Sequence, residues 1–216
     1  MSETGARRGR PPEFDRTSAL EAATALFWEH GYEATSVGEL TRAMGIRPGS
    51  LYAAFGDKKS LFKEVVVAYG HTPAGAFVGA ALAEEHTARE AIARILREAA
   101  AIYPAPEHPR GCLTISAATN VTEQSAEVAA YLRELRNANL ARFEARLTES
   151  RQEGELAPSA DPRALAAYFA AVIQGMSQRA RDGATADELA ETARLALAAW
   201  PQSESSDLSE LPDSAA

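Results

Sequence analysis

Cysteine is almost missing from this chain. Cys112 is the only one among 216 residues, which rules out an internal disulfide framework and fits a reducing compartment. No run approaches the ~20 apolar residues that a membrane span needs. The N-terminal stretch is polar and basic, unlike a secretory signal, so a cytoplasmic chain with no membrane partner is expected. Lysine is scarce too: Lys58, Lys59 and Lys63 sit in one segment, and every other basic side chain is arginine. His30, His71, His86 and His108 are scattered without metal spacing. His108 and Cys112 are four apart, but Pro109 and Gly111 between them disfavour a helical pair. No nucleophile elbow, phosphate loop or dinucleotide fingerprint is present, so no metal, cofactor or enzymatic activity is expected. Strand signals and internal repeats are also missing. What remains is 46% hydrophobic and reads as an all-α chain of about nine helices with a sizeable core.

The net charge of -8 taken alone argues against a nucleic-acid partner, but its distribution does not. Residues 1–63 carry nine basic and eight acidic side chains; the remainder carries thirteen and twenty-two. The field that a polyanion meets is local. The basic excess starts in residues 1–12, read as a disordered arm. Within it Arg8-Gly9-Arg10-Pro11 resembles an AT-hook core, which lays arginines into a narrow minor groove. The competing reading is a solvated basic tail.

Residues 35–59 carry the most specific pattern. Ser36 and Glu39 form a capping box, and Val37, Leu40, Ala43 and Met44 give one apolar face. Gly45 suits a left-handed helix end. Pro48 opens a second helix, anchored by Leu51 and Phe55, and Asp57 caps the next. Two short helices joined by a Gly-containing turn form a helix-turn-helix, whose second helix enters the DNA major groove. Arg47, Pro48, Gly49, Ser50 and Tyr52 are the groups available to duplex DNA. Arg47 suits guanine or phosphate, whereas Tyr52, Lys58 and Lys59 suit phosphates. A helix over 15–30 with Ala19, Ala22, Ala23, Leu26 and Phe27 inside is expected to brace them. Trp28 reads as packing. The bland alternative is a three-helix bundle with no DNA role.

Gly31-Tyr32, Thr35-Ser36-Val37, the run Gly45 to Phe55 and Asp57-Lys58-Lys59-Ser60-Leu61 resemble the DNA-binding domain of the TetR family of bacterial repressors. The likeness spans about residues 13–70 and adds Thr35 and Ser36 to the DNA-facing set. It implies a second helical domain over 71–200 for ligand binding and dimerisation, and a homodimer on a palindromic double-stranded operator. In such a dimer the last two helices of each protomer form a four-helix bundle. It also implies repression relieved by a small-molecule effector held among the middle helices. Candidate lining groups are Tyr103, Cys112, Ser116, Asn120, Asn139, Phe143, Tyr168, Phe169, Gln174 and Met176, suited to an apolar or aromatic molecule. Pro109-Arg110-Gly111-Cys112-Leu113 is similar to a subgroup with Gly-Cys-Leu here, some of which sense electrophiles or oxidants through cysteine. Arg110 and a helix start favour that role; a small buried hydrophobe is the alternative. An activator or architectural DNA-binding protein without an inducer would share the first domain.

Further along, helices are expected over 87–103, 112–121, 124–153 and 162–181, and from Thr185-Glu188 to Trp200. Residues 70–80, with Gly70, Pro73, Gly75 and Gly79, read as a hinge or short irregular helix. Asn139 falls inside an apolar stripe, where a buried amide requires a partner. The helix over 162–181 is apolar around most of its circumference, so cover on two sides is expected. The Ser- and acid-rich 201–216 reads as disordered.

Overall fold

A computed structural model of the chain describes residues 15–201; the arginine arm and most of the acidic tail lie outside them. The described residues form ten α-helices and one 3₁₀ segment, with no strand. In order they are α1 (Arg16–Ala34), α2 (Val37–Ala43), α3 (Pro48–Phe55), α4 (Lys58–Tyr69), α5 (Pro73–Glu84), α6 (Ala88–Ile102), α7 (Leu113–Ser116), the 3₁₀ segment Glu123–Ser125, α8 (Ala126–Gln152), α9 (Pro162–Arg181) and α10 (Ala186–Ala198). Among the described residues no single helix is long and apolar enough to cross a membrane.

The starts are set by side-chain caps. Asp15, Asp57 and Asp161 each accept from backbone N–H groups of the helix they precede. Ser36 with Glu39, Thr87 with Glu90 and Thr185 with Glu188 close reciprocal capping boxes, each satisfying orphan donors of a first turn. α1 runs past the expected end, through a break at Gly31 (φ 80°). There the chain must pass close to α7: a Cβ at Gly31 would lie 3.1 Å from the Ala117 carbonyl oxygen.

Two expectations need correction. Residues 70–80 are not a hinge; Pro73–Glu84 is a regular twelve-residue helix. Thr72 caps it, accepting from the Gly75 N–H at 3.2 Å, and Pro73 occupies the first turn, where its missing N–H costs nothing. Gly75 is required by contact, since a Cβ would sit 2.0 Å from the Tyr69 carbonyl oxygen. The helix expected over 112–121 is a single turn, Leu113–Ser116. The added helix Pro73–Glu84 brings the total to ten among the described residues.

One continuous core joins the head (α1–α4) to the body (α5–α10). Phe27, Leu40, Leu51, Leu61, Phe62 and Val65 are fully buried between α1 and α4, with Phe62 edge-on to Phe27 and Tyr32 at 5.0 and 5.1 Å. Ala43, expected on the inner face of α2, is exposed instead, while Thr41 is buried. In the single chain α9 is not covered on two sides. Ala164, Ala167, Tyr168, Ala171 and Gly175 remain exposed.

Candidate nucleic-acid interface and effector cavity

The turn between α2 and α3 follows from its residues. The Met44 N–H bonds the Leu40 carbonyl, Gly45 takes φ 66°, and the Ile46 N–H returns to the Thr41 carbonyl at 3.0 Å. Leu51 and Phe55 are sunk into the head. This turns the opposite surface of α3 outward: Arg47, Pro48, Gly49, Tyr52 and Ala53 are exposed and Ser50 is half-buried. Arg47 is the N-cap residue but makes no side-chain cap bond, so its guanidinium is not committed to holding the helix start. Tyr52 is 52% exposed, high for a large aromatic ring.

The flanking groups divide differently. Thr35 is fully buried, and its hydroxyl donates to the Gly31 carbonyl at 2.7 Å; it ties off α1 and does not face outward. The Ser36 hydroxyl is held in the capping box with Glu39. Lys58 lies over the Tyr32 ring at 4.3 Å, and burial holds its ammonium below the ordinary lysine pKa. Lys59 is paired with Glu127 of α8 at 2.7 Å. That carboxylate raises the lysine pKa, and the lysine lowers the carboxylate's. Arg8 and Arg10 lie outside the described residues.

A cavity of about 620 Å³ opens among α4 to α9, within the usual range for small-molecule sites. Of the lining groups expected from sequence it brings together Tyr103, Cys112, Asn139, Phe143 and Gln174. Ser116 and Asn120 do not reach it. They border a smaller hollow of about 330 Å³ between the α1 terminus and the body. Tyr168 lines neither and stays on the exposed face of α9, because α9 turns Ala166, Phe169 and Ile173 inward instead. Phe169 and Met176 are core. Asn139 is not a buried amide; it is exposed at the cavity edge, within reach of solvent.

Cys112 is buried yet borders the cavity. The Tyr69 hydroxyl contacts its Sγ at 3.3 Å and donates to the Ala74 carbonyl at 2.9 Å. The Thr114 hydroxyl lies 3.2 Å from the sulfur. Burial pushes the Tyr69 and Tyr103 phenols well above their ordinary pKa, so both stay neutral. Arg110 does not serve the thiol. Its guanidinium donates to the Ala180 and Ala184 carbonyls at 3.3 and 3.5 Å, at the far end of α9.

Three further residues escaped the sequence reading. Arg136 and Arg142 of α8 both line the cavity; the only signal for them was a pair of arginines flanking Asn139. Arg181 of α9 donates to the Trp28 and Glu29 carbonyls at 3.1 and 2.9 Å, gripping α1 just before its break. Other ties between body and head are the Tyr32 N–H to the Ala117 carbonyl at 2.6 Å and the Thr122 hydroxyl to Glu33 at 3.0 Å.

An outward-facing helix-turn-helix fixed to a helical body with an internal cavity defines a DNA-binding regulator built to receive a small molecule. Comparison with known proteins makes the assignment specific. The description "Bacterial regulatory proteins, tetR family" matches residues 19–65, and "Tetracyclin repressor-like, C-terminal domain" matches 88–196. The chain is 34% identical to the HTH-type transcriptional repressor ComR of Escherichia coli K12, over 90% of this chain and 93% of that one. It is 30% identical to the repressor BdcR of the same organism, over 87% and 90%. A cysteine mutant of the TetR-family regulator CifR, solved with 26-bp operator DNA, superposes with a TM-score of 0.84 at 40% identity, covering 89% of this chain and all of that one. The chain belongs to the TetR family of transcriptional regulators. These relatives are regulators of transcription, which are not enzymes.

Proposed function

We propose that the protein is an intracellular, non-enzymatic repressor that sits as a homodimer on a palindromic operator and leaves it when a small apolar molecule fills the cavity. Residues 13–70 form the reading unit and 71–200 the receiving and pairing unit. Arg47, Pro48, Gly49, Ser50 and Tyr52 face the major groove, Lys58 and Lys59 lie toward the backbone, and Arg8 and Arg10 extend the contact as an arm. The exposed face of α9 with α10, including Tyr168 and Leu195 (56% exposed), pairs the protomers.

One observation carries the release mechanism: the cavity wall and the head share the same short segment. Cys112, Thr114 and Ile115 line the cavity, and two residues beyond, the Ala117 carbonyl holds the Tyr32 N–H. A molecule that shifts α7 therefore shifts α1. If one state binds DNA and the other binds the molecule, occupancy lowers operator affinity by at most the ratio of the molecule's affinities for the two. Cys112 is the one thiol in that wall, so an electrophilic effector would be captured there, and Cys112→Ser would abolish that response alone.

An electrophoretic shift on the gene's own upstream region, with and without candidate molecules, tests the reading. Retardation reversed by a cavity-filling molecule is expected. Retardation that no molecule relieves would favour an architectural or activating protein; no retardation would remove the DNA role.

A further inference from the structure

The charges around the cavity are all of one sign. The chain carries a net charge of -8, yet no aspartate or glutamate lines the cavity, and its two ionised groups are Arg136 and Arg142. Neither is neutralised among the described residues. Arg136 is half-buried and donates one bond, to the Thr114 carbonyl at 2.9 Å, leaving the rest of its guanidinium without a protein acceptor. Burial, reinforced by Arg133, works against its charge. Arg142, exposed at the rim, lies against Gly79, where an added Cβ would meet its guanidinium nitrogens at 3.3 and 3.4 Å, and it has no hydrogen bond or ion pair among the described residues. Elsewhere in the same body Arg94 is held by Glu84, Glu85 and Glu98. A partly desolvated guanidinium with unused donors is costly unless something completes it. The remaining wall is apolar, with Val66, Phe77, Ile115, Leu135 and Phe143 among its residues.

We propose that the effector is an apolar molecule carrying one carboxylate, received by the Arg136–Asn139–Arg142 ridge of α8 while its body fills the apolar part of the cavity. This rests on the reading of the cavity as the effector site. A planar carboxylate matches the guanidinium fork, and such charge-assisted pairs are about twice as strong as neutral ones. The two arginines are about 9 Å apart along the helix axis at 1.5 Å per residue, so the partly buried Arg136 is the anchor and Arg142 the gate at the rim. A carboxylate held by the unused donors of Arg136 sits on the same guanidinium that bonds the Thr114 carbonyl, which links the ligand's charge to α7 and so to the head.

The test is calorimetric binding to the full-length dimer without DNA, using decanoate, 4-phenylbutyrate and indole-3-acetate beside their methyl esters. At least one acid should bind about tenfold or more tightly than its ester. Arg136→Gln and Arg142→Gln should together bring that acid to the ester's level and leave ester binding within about threefold, with unchanged melting. Arg142→Gln alone, at a group with no protein partner, keeps the test valid if Arg136→Gln unfolds. Esters binding as well as their acids, no acid binding at all, or variants retaining the preference would each overturn the proposal. An acid that binds through these arginines but leaves the operator complex intact would uphold it and refute the release mechanism instead.

Discussion

Arg47→Ala is the perturbation that most directly interrogates the reading head. Arg47 is exposed, is the first residue before α3, and holds no cap bond. Its truncation should therefore leave folding within about 0.5 kcal/mol of wild type. On DNA the cost is different. A bidentate arginine–guanine contact is worth about 1–3 kcal/mol, and a symmetric dimer loses it twice, so about 2–6 kcal/mol, or roughly 30-fold to 10⁴-fold in affinity. The salt dependence separates the two contacts available to it. If Arg47 meets phosphates, the slope of log K against log salt should flatten by about 0.9 per head. If it meets a base edge, the slope stays and discrimination at one position of each half-site relaxes. Fluorescence anisotropy on a footprinted upstream fragment between 50 and 200 mM salt, a range over which phosphate contacts show plainly, reads both. A variant with wild-type melting that binds within twofold of wild type would refute the orientation argued for α3.

Four other outcomes are expected. Deleting residues 1–11, which hold three arginines, should weaken operator binding and flatten its salt slope; an unchanged slope removes the arm from the interface. Leu51→Ala, at a fully buried anchor of α3, should lower unfolding free energy by about 2–5 kcal/mol, read as a urea midpoint shift; a loss under 1 kcal/mol would mean the site collapses freely. Arg181→Gln removes the grip on the Trp28 and Glu29 carbonyls, so the ratio of operator affinities with and without effector should shrink while effector binding holds; an unaltered ratio would show that the signal bypasses α9. Acid should destabilise the fold. Glu39, Asp57 and Glu188 are held below the ordinary carboxylate range, chiefly by backbone N–H groups of Ser36, Ser60 and Thr185. With a folded pKa below the unfolded one, their contribution is complete above that range and is lost as pH falls through and below it; denaturation curves that coincide at pH 6 and pH 3.5 would contradict this.

How far the sequence could be read depended on how local each signal was. Ser36 with Glu39, Gly45, Pro48 and Asp57 act within four residues of themselves, so the helix-turn-helix was legible to its caps. α5 was misread because Gly70, Pro73, Gly75 and Gly79 look like breakers. Yet Thr72-Pro73 is the same start signal as Asp161-Pro162, and Gly75 serves a close approach to Tyr69. The cavity was legible only in part. Which side of α8 and α9 faces inward is fixed by helices far away in the chain, so Tyr168 was assigned to the wrong face while Arg136 and Arg142 went unnoticed. Contacts such as Lys59 to Glu127, 68 residues apart, leave no trace in local pattern at all.

That non-local set is where regulation has to act. The head is fixed by the shared core and by polar ties that include Lys59–Glu127, Glu33–Thr122, Tyr32–Ala117 and Arg181 to the α1 carbonyls. The first two are exposed, and an exposed ion pair such as Lys59–Glu127 contributes about 0–1 kcal/mol, too little to hold one orientation alone. The other two are not equivalent to them. The Tyr32–Ala117 bond lies beside a glycine whose added Cβ would crowd the same carbonyl at 3.1 Å, and Arg181 spans two carbonyls at once. Ligand occupancy that moves α7 must therefore either carry α1 with it or break that bond. The first outcome reorients α3, because Leu51 and Phe55 fasten α3 to the core that α1 builds; the second frees α1 from that link. The strength of coupling is then set by the stiffness of the one-turn helix α7.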